Sequence, residues 1–109
     1  MNNEDKKKFI WTNEWQKELD DTMNELLHRF GVELKASHIE KTNETEYDLV
    51  KEFIEVGEAG LAYEEMVNLV MKRKLRITND EYKLFEKAHA LMSNGLIDSQ
   101  ILKQFISGK

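Results

Sequence analysis

The chain has 109 residues, of which 40% are apolar and 34% charged, enough for one hydrophobic core and too few for two comfortable domains. It holds no cysteine, no proline and five glycines, which excludes disulfides and thiolate chemistry and leaves too little turn punctuation for a β-sandwich or barrel. The net charge of −5 argues against nucleic acid as a direct partner. No long apolar run follows Lys6-Lys7-Lys8 or occurs elsewhere, so we expect neither a membrane span nor a secretory leader, and a cytoplasmic protein.

Residues 1–10 read as a polar, frayed lead-in. A first helix is expected from Asn13 to Phe30, with Asn13 and Gln16 as a capping box. Trp15, Leu19, Met23, Leu26, Leu27 and Phe30 recur at three- and four-residue spacing and make one apolar stripe. Gly31 is the expected stop. Residues 31–45 have no clean period and read as an irregular connection with room for a turn of helix. Val32, Leu34 and Ile39 leave a β-hairpin open there.

A second helix is expected over residues 46–56, buried through Tyr47, Val50, Phe53 and Ile54. Gly57-Glu58-Ala59-Gly60 forms a corner. A third helix follows over residues 61–74, with Ala62, Met66, Leu69, Val70 and the stem of Arg73 on one face. Thr78-Asn79-Asp80-Glu81 is a capping box with acids in the first turn, where the helix dipole favours them. It opens a fourth helix to about Ser93, buried through Leu84, Phe85, Ala88, Leu91 and Met92, with Asn94-Gly95 as its end. Asp98 caps a last short helix bearing Ile101, Leu102, Phe105 and Ile106. The pattern predicts a compact single-domain, all-α bundle of four to five helices.

Nothing in the sequence assembles a catalytic or metal site. His28, His38 and His89 stand at no metal-ligand spacing, and a helix-surface or boundary role suits His28 and His89. There is no Gly-x-Ser-x-Gly elbow, and Gly57-x-x-Gly60 lacks the Lys-Ser/Thr ending of a phosphate loop. No catalytic residue, cofactor or metal is expected, and the chain reads as a non-enzyme.

Two charge features remain. Lys72-Arg73-Lys74-Leu75-Arg76 has no interleaved aromatics. Its place at a helix C-terminus, with Asp80 and Glu81 close behind for pairing, accounts for it. The other feature is acidic. Residues 55–71 carry four acids and no cation, between 13 acidic and 8 basic residues before them and four acidic and eight basic after. Glu52, Glu55, Glu58, Glu64 and Glu65 fall in or beside this stretch. Like charges so close repel, which a sequence shaped for stability alone would dilute with lysine. A solvated face with dipole-favoured acids at a helix start is the plain explanation. A patch for a basic partner is the functional one, with Tyr63 beside it either as an aromatic anchor or as core.

The run Glu52-Phe-Ile-Glu-Val-Gly-Glu-Ala-Gly-Leu-Ala-Tyr-Glu-Glu-Met-Val-Asn-Leu-Val, followed by Leu75-Arg-Ile-Thr-Asn-Asp-Glu-Tyr, resembles small all-helical immunity proteins of bacterial polymorphic toxin systems. These are of the MafI type, together with related contact-dependent growth inhibition immunity proteins. The shared texture is a Gly57-Glu58 corner after an apolar helix end, Leu61-Ala62 before the acidic pair Glu64-Glu65, and a helix capped at Thr78. The likeness covers about residues 50–92 and does not extend to the N-terminal half.

The resemblance implies a bacterial, cytoplasmic toxin inhibitor. Its partner would be the C-terminal domain of a cognate toxin, basic and of nuclease type, and its carboxylates would stand where substrate phosphates go or beside that channel. The partner-binding residues expected on this basis are Glu52, Glu55, Glu58, Tyr63, Glu64 and Glu65. Against it stand a helical binding module or helix-turn-helix regulator, suggested by the corner and the basic run, and an orphan bundle self-associating through Trp11 and Trp15. A recognition helix that begins with Glu64 and Glu65 suits DNA poorly.

Overall fold

The computed structural model describes the backbone of residues 3–92 and 97–107, with side chains from residue 14 onward. Five α-helices follow one another: α1 (Asn3–Arg29), α2 (Gly31–Lys35), α3 (Glu46–Glu55), α4 (Ala59–Arg73) and α5 (Asn79–Met92). A 3-10 helix, Ser99–Phe105, ends the series. No strand occurs among the described residues, only isolated bridges between His38 and Thr45 and between Ile77 and Ile106. The architecture is the expected all-α bundle.

The first helix is longer than its apolar stripe suggests. It starts at Asn3, so the segment read as a lead-in is helical from there and Asn13 lies inside the helix instead of capping it. Residues 3–13 contain neither glycine nor proline, so no backbone feature stops the helix from propagating backwards. Leu19, Met23, Leu26, Leu27 and Phe30 bury the predicted stripe. Trp15 stays 37% exposed, with its indole N–H donating to the carbonyl of Leu91 at 2.9 Å.

Helix α1 ends at Arg29, one residue before the expected Phe30, and Gly31 then opens α2, whose Leu34 is fully buried. Beyond it the connection is irregular. The Ile39 amide bonds the Glu44 carbonyl, and a single His38–Thr45 bridge stands where a hairpin was open.

Thr45 then caps α3 in a reciprocal box with Asp48. Helix α4 is the centre of the molecule, touching α1, α3, α5 and the 3-10 helix. It therefore buries Ala59, Ala62, Tyr63, Met66, Val67, Leu69 and Val70, a wider face than one stripe. Arg73 is exposed, and its guanidinium reaches back to the Ser37 hydroxyl at 2.5 Å and the Glu33 carbonyl at 3.3 Å.

Thr78 and Glu81 form the predicted box at the start of α5, with bonds of 2.8 and 3.0 Å. The Phe85 ring of α5 meets Phe30 and Tyr63 at centroid distances of 5.9 and 6.3 Å, joining α5 and α4 to the α1–α2 junction in the core. The expected stop at Asn94-Gly95 lies outside the described residues. Asp98 accepts from the Gln100 amide as expected and opens the 3-10 helix, which buries Leu102 and leaves Ile101 exposed. Buried Ile77 closes the bundle, its amide and carbonyl bonded to Phe105 and Ser107 at 2.9 and 2.8 Å.

Candidate functional site

The α3–α4 corner is built by backbone chemistry. Val56 ends α3, and Gly57 follows at φ +82°, a conformation open mainly to glycine. The Gly57 amide bonds the Ile54 carbonyl at 3.2 Å and the Glu58 amide bonds the Phe53 carbonyl at 2.7 Å, the paired bonds of a Schellman motif. Glu58 at once caps α4, its carbonyl accepting from Leu61 and Ala62 at 3.1 Å. Its side chain makes no capping bond. One residue thus closes α3 and opens α4 while its carboxylate stays in solvent.

Glu52, Glu55 and Glu58 are all exposed around this corner. Glu58 sits at the start of α4, where the dipole favours an anion. Glu52 and Glu55 lie in the last turn of α3, which holds no cation, and there the dipole opposes them. Among the described residues the ion pairs are Lys17–Asp21 and Arg29–Glu25, and neither involves these acids. The helix dipole therefore accounts for Glu58 and not for Glu52 and Glu55, which fit a solvated face by their exposure alone. Val56 and Leu61 project beside them at 64% and 46% exposure. Next to the corner runs a groove of about 290 Å³ between Trp15 and Leu19 of α1, Gly57, Ala59, Gly60 and Met92.

Glu64 and Glu65 fall in the second turn of α4, so neither is a first-turn acid. Both are half-buried. Glu65 faces Glu46 across the α3–α4 seam. Burial first, then Glu65, raises the Glu46 carboxyl to about 7, while Lys72 acts in the opposite sense. Glu64 and Asp98 add to burial in raising the Tyr63 phenol.

Tyr63 is not a surface anchor. It is 0% exposed, its hydroxyl donates to the Ile97 carbonyl at 2.6 Å, and its ring stacks on His89 at 6.0 Å. The central position of α4 puts that side of the helix inside, and Tyr63 leaves the set of contact residues.

The basic run divides in use. Arg73 clasps Ser37 and Glu33, Lys72 faces Glu46, and Lys74 takes the left-handed cap of α4 at φ 51°. Asp80 and Glu81 form no ion pair with the run; Glu81 bonds the Thr78 amide instead. Among the described residues no three His, Asp or Glu side chains gather in a way that would hold a metal ion. No helix among them is long and apolar enough to cross a membrane.

Two features escape the sequence. Glu46 and Glu65 lie on different helices, so no local spacing marks them as partners. The groove beside the corner depends on how α1 crosses it. Comparison with known proteins finds no matching family model, curated protein or solved structure.

Proposed function

We propose that this chain is an immunity protein of the polymorphic-toxin kind, binding and neutralising a basic, nuclease-type toxin domain in the bacterial cytoplasm. The supporting observation is the α3–α4 corner. Three exposed carboxylates stand there without cation partners among the described residues, two of them against the dipole of their own helix, beside exposed Val56 and Leu61. The helix dipole does not favour Glu52 and Glu55 where they stand, and a basic partner surface would give them a role. The carboxylates steer encounter with a cationic channel, and the apolar pair supplies contact area once docked. The sequence resemblance to small helical immunity proteins points the same way.

In this reading Glu52, Glu55 and Glu58 offer oxygens where a nuclease binds phosphates, or cover the ground beside that channel. Glu64 and Glu65 lie further along α4 and contribute field more than contact. The test is co-expression with the toxin domain encoded beside this chain. Restored growth and a one-to-one complex on purification are expected. Persistent toxicity with no complex overturns the proposal, and retardation of duplex DNA at low salt would transfer support to a helix-turn-helix regulator.

A further inference from the structure

Glu46 is the first residue of α3, and the chain before it is fastened at the same point. Its amide donates to the Ser37 carbonyl at 2.7 Å, and the neighbouring Thr45 bridges to His38. Its carboxyl lines a cleft of about 230 Å³ with Glu65, His38, Lys72 and Arg73. The Oε2 atom of Glu46 is buried there with no hydrogen-bond donor among the described residues. A buried carboxylate oxygen without a donor is costly and rare in a folded protein. The group it faces is a second carboxyl. Two carboxylates facing each other in one cleft repel, whereas one proton between them makes a charge-assisted hydrogen bond and can give Oε2 the partner it lacks.

The surrounding charges do not remove the need for that proton. Arg73 is held by the Ser37 hydroxyl and the Glu33 carbonyl. Lys35 of α2 lies over the Tyr47 ring, 4.6 Å from its centroid. Asp48, on α3 itself, is engaged by Thr45. Lys72 is the cation that acts on Glu46, and it acts against burial and Glu65 together. His38 lies on the cleft wall.

We propose that Glu46 and Glu65 share one proton and form a latch tying the first turn of α3, and with it the connection 37–45, to the middle of α4. Loss of the proton leaves two facing carboxylates and releases the latch. The burial and mutual repulsion that hold the Glu46 carboxyl near 7 place that release at ordinary cellular pH. This inference is independent of the proposed toxin partner.

The experiment is a titration of the full chain from pH 5.5 to 8.5, following glutamate side-chain carboxyl carbons by NMR and amide exchange corrected for its intrinsic pH dependence. The Glu46 carboxyl is expected to titrate near neutrality, with protection of amides 38–46 falling about tenfold through the same range. Glu46→Gln and Glu65→Gln each remove the repulsion and are expected to hold that protection flat. His38→Gln is expected to leave the transition in place. Titration of Glu46 with the ordinary carboxylates overturns the latch. So does a transition that survives both glutamine variants and disappears with His38→Gln.

Discussion

The hydroxyl of Tyr63, in the middle of α4, donates to the backbone carbonyl of Ile97 at 2.6 Å across 34 residues of sequence. The bond ties the central helix to the segment leading into the 3-10 helix. Tyr82 of α5 is equally a core residue, but its buried hydroxyl has no partner among the described residues. The two tyrosines therefore respond oppositely to removal of one oxygen. Tyr63→Phe deletes a made bond and strands a carbonyl, at a cost of about 1 kcal/mol. Tyr82→Phe removes an unpaired buried polar atom and is neutral or stabilising by up to about 1 kcal/mol. Urea titration at fixed pH checks both, with an unchanged slope showing that the unfolded state is not involved.

Glycine supplies a second pair of opposite signs. A Cβ at Gly57 meets nothing within 4 Å, so crowding is not the issue; the backbone is, at φ +82°. Gly57→Ala is expected to cost about 1–2 kcal/mol. At Gly31, in the first turn of α2, an added Cβ lies 3.9 Å from the Tyr47 ring, an ordinary contact. Gly31→Ala is expected to stabilise by about 0.5–1 kcal/mol through the unfolded chain. Thermal melts of the two variants should move in opposite directions.

The pH dependence of stability follows from Glu46. Its carboxyl stands at about 7 in the folded chain against an ordinary 4.5, raised first by burial and then by Glu65. Between those values the folded state holds a proton that the unfolded state has lost. Stability from this group is therefore fully present below pH 4.5, falls as pH rises through the window and levels off above about 7. Denaturation midpoints at pH 5, 6, 7 and 8 are expected to decline and then flatten. Glu46→Gln removes this part of the slope.

Local chemistry was legible where it acts through neighbours in sequence. Thr78 with Glu81, Asp98 before the 3-10 helix and the Gly57 corner each behave as their spacing predicts, because caps and left-handed turns are settled within a few residues. The Thr45 cap is hidden in the sequence because its third residue is Asp48 in place of the Glu or Gln that marks a capping box. Helix α1 starts ahead of the capping pattern at Asn13 because the charged segment before it holds no helix breaker, and charge density alone does not mark a helix start. Tyr63 needed the fold, since an aromatic beside glutamates suits an interface or a core equally until neighbours surround α4. Of the six residues expected to meet a partner, the structure groups Glu52, Glu55 and Glu58 at one corner. It withdraws Tyr63 into the core and sets Glu65 against Glu46. That last relation joins two helices and leaves no trace in either one's periodicity.

Glu52 and Glu55 give the sharpest test of the proposed function, because their effects on folding and on binding should have opposite signs. Glu52 and Glu55 oppose the dipole at the end of α3, which has no cation in its last turn. Glu52→Lys and Glu55→Lys should therefore each stabilise the free protein by about 0.3–1 kcal/mol. The same changes, combined with Glu58→Lys, remove the steering field for a basic toxin domain. Association at low salt is expected to slow by about tenfold or more, with the difference shrinking as salt screens it. Glu86→Lys, at an exposed position on α5, is the control and should leave the association rate close to that of the parent. Val56→Ala and Leu61→Ala act after docking and are expected to speed dissociation instead. Stopped-flow association across a salt series, with thermal melts of the same variants, separates the two effects. Slower binding by the triple variant, with the Glu52→Lys and Glu55→Lys single variants more stable than the parent, locates the interface at this corner. A triple variant that binds as the parent does removes Glu52, Glu55 and Glu58 from it.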